Sequence, residues 1–167
     1  MAIKTLSYRG TTREACVCGD CAQFAAQLNE GAGRLSPEGL RLGYHNHQAE
    51  FAPVEGTTAW EILLDQADGG VFLQYDVGNA ARSGQTDVYA TLQATLGRCR
   101  TIHCKPFSRD TGFTAVLGRD SIDWERVARQ VKQAQNPPDF AILEYEGDGG
   151  WRDIADSAAN LRALLAK

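Results

Sequence analysis

The sequence predicts an α/β domain built on a parallel sheet, and three observations predict it. Strand-like and helix-like stretches alternate five times along the 167 residues, which is the pattern of βα units joined by crossovers. Runs such as Val71-Phe72-Leu73 are apolar on both parities, as strands are when both faces of a sheet are covered. Four strand-like runs close on a residue that can titrate or bind metal: Leu42-Gly43-Tyr44-His45-Asn46-His47, Leu73-Gln74-Tyr75-Asp76, Thr101-Ile102-His103 and Ile142-Leu143-Glu144. All three histidines of the chain lie at these ends, where parallel sheets carry their sites.

Element by element, residues 3–8 read as a strand followed by a polar, cysteine-bearing loop. Phe24, Ala25, Leu28 and Ala32 recur at helical spacing over 21–35, and Gly33 and Pro37 stop that helix. The second strand is 40–47. Trp60, Ile62, Leu63 and Leu64 mark a helix over 58–67 that ends at Gly69-Gly70. A strand over 71–76 and a helix over 87–96 follow, then a strand over 99–105 and a long loop holding Gly112 and Gly118. Ser121 is the expected N-cap of a helix over 121–135, with Ile122, Val127 and Val131 on one face and Asn136-Pro137-Pro138 ending it. A fifth strand over 140–145 and an amphipathic helix over 153–167 complete the reading.

Composition narrows the class. Residues 1–167 are expected to form one domain with a sizeable core, and 43% hydrophobic with 23% charged residues is ordinary for a globular protein. A net charge of −4 without a Lys/Arg cluster offers no field for nucleic acid. No window approaches 18 uncharged apolar residues, so no membrane span is expected. The start of the chain lacks a charged n-region and a long apolar run, so the expected compartment is the cytoplasm. Five cysteines, an odd number, argue against a disulfide framework. Cys16, Cys18 and Cys21 form a C-x-C-x-x-C cluster, which reads either as three thiols or as a zinc or iron–sulfur site short of a fourth ligand. No G-x-G-x-x-G or P-loop string occurs, which disfavours a nucleotide-binding sheet.

These residues resemble a known family, the xylose isomerase-like TIM barrels of the sugar phosphate isomerase/epimerase group. The segments that carry the likeness are Leu42-Gly-Tyr-His-Asn-His-Gln-Ala-Glu-Phe51, Gln74-Tyr-Asp-Val-Gly-Asn79, His103-Cys-Lys105, Leu117-Gly118 with Ser121-Ile-Asp-Trp124, and Leu143-Glu144. A TIM barrel has eight βα units and about 250 residues. The five units here resemble strands four to eight, so the implied fold is an incomplete TIM barrel. Such an arc has two open edges and an uncovered interior, so a homo-oligomer is expected.

The resemblance implies a divalent cation held by Asp76, His103 and Glu144, with Mn²⁺ favoured among Mn²⁺, Mg²⁺, Co²⁺ and Zn²⁺. Where relatives carry a further glutamate, this chain has Gly43. His45 and His47 share the parity of Gly43 and can lean over it, and Glu50 is the carboxylate alternative for the fourth ligand. The implied reaction on a sugar substrate is proton transfer beside a carbonyl, with Glu144 as base and His47, Glu50 or Lys105 as its partner. Lys105 can instead hold a substrate oxygen. His45, Asn79 and Arg109 are expected to bind substrate, and Asp123-Trp124 to anchor the following helix. A dehydratase on the same scaffold and a non-catalytic binding or assembly module are the competing readings. A related endonuclease for abasic DNA is disfavoured by the acidic balance.

Overall fold

A computed structural model describes residues 5–8 and 21–166. Its main sheet has five parallel strands: β1 (Thr5–Tyr8), β2 (Arg41–His45), β5 (Val71–Asp76), β6 (Cys99–Cys104) and β7 (Phe140–Leu143). Their order in space is their order in the chain, as in an arc of a barrel. A two-stranded antiparallel ribbon, β3 (Pro53–Val54) with β4 (Thr57–Thr58), is a further element that the pattern of apolar residues did not disclose. It turns through Glu55 and Gly56, both at positive φ.

The helices between strands are α1 (Cys21–Leu35), α2 (Ala59–Gln66), α3 (Val77–Ser83), α4 (Val88–Thr95), α5 (Trp124–Gln133) and α6 (Gly150–Ala166). Side-chain oxygens set several of their starts by accepting the free N–H groups of the first turn. Thr58 caps α2 through Glu61 N, and Asp87 caps α4 through Tyr89 N and Ala90 N. For α5 the cap is Asp123, not Ser121; the Ser121 hydroxyl instead accepts from Arg109 N. The expected role of Asp123-Trp124 in anchoring α5 is what these bonds describe, with Trp124 Nε1 donating to Asp120. Helix α3 was not anticipated: it starts directly at the end of β5, inside a stretch too short to show a helical period.

One parity of the sheet faces the helices. Tyr44, Leu73, Tyr75 and Ile102 are fully buried there against Trp60, Leu63 and Leu92. Trp60 lies 6.4 Å from Tyr44, 6.1 Å from Phe51 and 6.0 Å from Tyr75, ring centre to ring centre, and its Nε1–H donates to Thr95. Apolar area removed from water at about 25 cal/mol per Å² makes this aromatic cluster the main anchor of the helical layer. The opposite parity carries Gly43, His45, Phe72, Gln74, Asp76, Thr101 and His103 in register. At the β7 edge that parity is open: Phe140 and Ile142 are 49% and 37% exposed. No helix among the described residues is long and apolar enough to cross a membrane.

Candidate metal centre

Four donors meet at the C-terminal ends of four strands. His45 ends β2, Asp76 ends β5, His103 is the penultimate residue of β6, and Glu144 follows β7. One ligand atom from each lies within 4.8 Å of all the others. His103 Nδ1 is 2.5 Å from Glu144 Oε2 and 3.7 Å from Asp76 Oδ2, and His45 Nε2 is 3.9 Å from the same Asp76 oxygen. Parallel pairing of Asp76 with His103 puts those two side by side, and equal parity turns them to one face.

Asp76 divides its carboxylate. Oδ1 caps α3 by accepting Asn79 N at 2.6 Å. Among the described residues, Oδ2 is buried and accepts no hydrogen bond, although two imidazoles stand just beyond bonding distance. A wholly buried carboxylate oxygen with this surrounding is costly unless a cation balances it. Burial accordingly pushes the Asp76 carboxyl up to about 8, against the lowering effects of the Asn79 N–H and of Lys105. Glu144 is the opposite case. The hydrogen bond with His103, followed by the nearby Lys105 ammonium, holds it down at about 2 despite partial burial. Two imidazoles and two carboxylates, one of them an orphaned buried oxygen, fit a divalent transition-metal ion.

The fourth candidate donor is His45, expected either to lean over Gly43 towards a cation or to bind substrate. Gly43 explains the choice. A Cβ there would stand 2.3–2.5 Å from three carbons of the Phe72 ring, so the space for a longer side chain at 43 is filled from the neighbouring strand. Glu50, the expected carboxylate alternative, is turned away. Its Oε1 accepts from Tyr44 Oη at 2.7 Å and its Oε2 from His47 N at 2.8 Å. Because Tyr44 lies on the helix-facing parity, that anchor draws Glu50 under the sheet end and fixes the turn that carries His47. His47 is half-buried, edge-on to His45 with ring centres 4.9 Å apart.

Asn79, expected at the substrate, is bonded within the fold. Its Oδ1 accepts from Gln48 Nε2 at 2.6 Å, and its Nδ2 donates to Asn46 O. Arg109 is exposed, and among the described residues only its backbone N–H is engaged, with Ser121. Lys105 is buried, its Nζ 3.2 Å from Glu144 Oε1, 2.7 Å from Glu146 Oε1 and 4.2 Å from the Phe113 ring centre. Sequence reasoning missed Asn46 and Glu146. Asn46 sits between the two histidines on the wrong parity for the site, and the signal for Glu146 was its spacing of two from Glu144. Cys21, a member of the sequence cluster, is buried in the core, whereas Cys16 and Cys18 lie outside the described residues.

The fold is an arc of a xylose isomerase-like TIM barrel, and the donor cluster at its strand ends could hold a metal ion. A family model described as xylose isomerase-like TIM barrel matches residues 4–165, and the chain belongs to that family. Solved structures agree in fold. A sugar phosphate isomerase/epimerase from Parabacteroides distasonis superposes with a TM-score of 0.71 at 22% identity, over 86% of this chain and 52% of that one. An L-ribulose 3-epimerase gives 0.68 at 15% identity, over 98% and 61%. A D-psicose 3-epimerase crystallised in the presence of D-fructose gives 0.61 at 16% identity, over 98% and 62%. The chain thus spans between half and two thirds of the length of these structures. No curated sequence matches it.

Proposed function

We propose that this chain carries the divalent-metal centre of a sugar isomerase or epimerase that moves a proton at a carbon beside a carbonyl. The observation that carries the reading is the convergence of His45, Asp76, His103 and Glu144 within 4.8 Å at the strand ends. A divalent cation bound there would polarise a carbonyl oxygen and make the adjacent C–H acidic. Glu144, held ionised, is the residue to take that proton; His47, at the rim, is the one to return it. Lys105 reaches Glu144 from the other side and offers an N–H donor to a substrate oxygen. The substrate class we propose is a keto-sugar or inositol derivative, in line with epimerases of ketoses among the structural neighbours. Manganese is the cation expected first.

The remaining wall of the barrel must come from further polypeptide, and we propose a second copy of the chain as one that can supply it. The exposed Phe140 and Ile142 on the inner parity of edge strand β7 support this. Free buried thiols at Cys99 and Cys104 suit a reducing, cytoplasmic setting.

Elemental mass spectrometry of the purified protein and of Glu144→Gln tests the centre. Near-stoichiometric manganese, cobalt or zinc, reduced in the variant, is the expected result, followed by solvent-proton exchange into ketoses. Absence of metal from the wild type after incubation with excess Mn²⁺ would overturn the proposal and favour the non-catalytic module.

A further inference from the structure

Lys105 is 3% exposed, and a buried ammonium is tolerated only when anions and acceptors surround it. Its Nζ has two carboxylates, Glu144 at 3.2 Å and Glu146 at 2.7 Å. The two are not equivalent. Glu144 already shares its other oxygen with His103, whereas the only side-chain partner of Glu146 among the described residues is Lys105. Phe113 closes the remaining side, with the ammonium 4.2 Å from its ring centre. Lys105 is therefore held at three points, and the shortest bond goes to the residue outside the donor cluster.

We infer that Glu146 is a positioning residue: it holds the Lys105 ammonium and balances its charge, so that Glu144 stays available to a cation. The inference rests on the metal reading above and goes beyond it. With Glu146 neutralised, the ammonium has Glu144 as its sole carboxylate, and the Lys105 charge competes with a divalent ion for the same oxygens. Glu146 makes no hydrogen bond with any of the four donors among the described residues and acts on Asp76 only through its charge at a distance, so most of its influence on the centre runs through Lys105 and shrinks when Lys105 is removed. Its own side chain is half exposed, which makes Glu146→Gln tolerable to the fold.

The test is a double-mutant cycle read by metal affinity. Mn²⁺ and Co²⁺ dissociation constants are measured by competition with a chromophoric chelator for the wild type, E146Q, E146D, K105M and E146Q/K105M. E146Q is expected to weaken binding by roughly three- to tenfold, with partial rescue in E146D and a clearly smaller effect of E146Q in the K105M background, where only the direct charge effect remains. An equal effect of E146Q in both backgrounds, or none in a wild type that binds metal, would overturn this inference alone. Failure of the wild type to bind either ion would overturn the metal reading, and this inference with it. Far-UV circular dichroism of each variant checks the fold, and E146D carries the comparison if E146Q does not fold.

Discussion

The Asn46 carboxamide exchanges two hydrogen bonds with the backbone of Asp76: Asp76 N donates to Asn46 Oδ1 at 2.8 Å, and Asn46 Nδ2 donates to Asp76 O at 3.2 Å. The side chain thereby continues the β2–β5 ladder one step beyond the last backbone pair, His45 with Gln74. Asn46 is wholly buried, so Asn46→Ala strands an N–H and a carbonyl away from water. We expect a loss of about 2 kcal/mol in stability and weaker metal binding, since Asp76 is the ligand that this clamp orients. Urea unfolding together with a metal titration measures both. An unchanged metal affinity would show that the clamp serves the fold alone.

Asp76 is a metal ligand in our reading, so Asp76→Asn and His103→Ala are each expected to lower metal content by at least tenfold with the fold retained. Circular dichroism beside elemental analysis checks this. Full metal content in both variants would discard the site.

The raised Asp76 carboxyl gives a signed pH dependence. Its folded value of about 8 lies above its ordinary value of 3.8, so in the metal-free protein its contribution to stability is whole below about pH 4. That contribution is lost as pH rises towards 8. A cation reverses the preference by displacing the proton. Metal binding at pH 6.5 should therefore release a proton that Asp76→Asn does not release, and the difference should vanish above about pH 9. Calorimetry in two buffers of unlike ionisation enthalpy reads the proton count.

Gly43 and Phe72 occupy one space. Gly43→Ala is expected to cost about 1–3 kcal/mol by forcing the Phe72 ring from its place, and Phe72→Leu in the same chain should recover part of the loss. Thermal or urea midpoints of the two single variants and the double variant measure the coupling. Strict additivity would mean that the cost of Gly43→Ala does not come from the Phe72 ring.

Burial pushes the Cys99 and Cys104 thiols up to about 11 and about 12, so neither forms thiolate near neutrality. Peptide mapping after iodoacetamide at pH 8 should find both unmodified in the native protein and modified after denaturation. Native labelling of either would show that the β6 core opens.

Much of this was legible in the residues. The order of βα units followed from alternating periodicities, and the candidate donors Asp76, His103 and Glu144 from the family resemblance together with their place at strand ends. What sequence could not supply was direction. Glu50 stands three residues from His47 in a motif that invites it into the site, yet a hydrogen bond to Tyr44 on the opposite face claims it. Asn79 looked like a substrate contact because nothing in one dimension reveals that Gln48 and Asn46 use both ends of its amide. Helix α3 was hidden because seven residues hold under two turns, and its N-cap, Asp76, was read as a candidate metal ligand instead. Ser121 lost the capping role to Asp123 because its hydroxyl is bonded to Arg109 N across the loop.

The four donors come from four consecutive units of a sheet whose spatial order is the chain order. A ribosome therefore delivers them in sequence: His45, Asp76, His103 and finally Glu144. Each strand can dock on its predecessor as it emerges, but under the metal reading proposed above a cation would gain its full set of ligands only after β7 has joined the edge. Metal capture would then act as a late checkpoint in biogenesis, retaining chains whose last unit has docked and leaving interrupted ones loosely held.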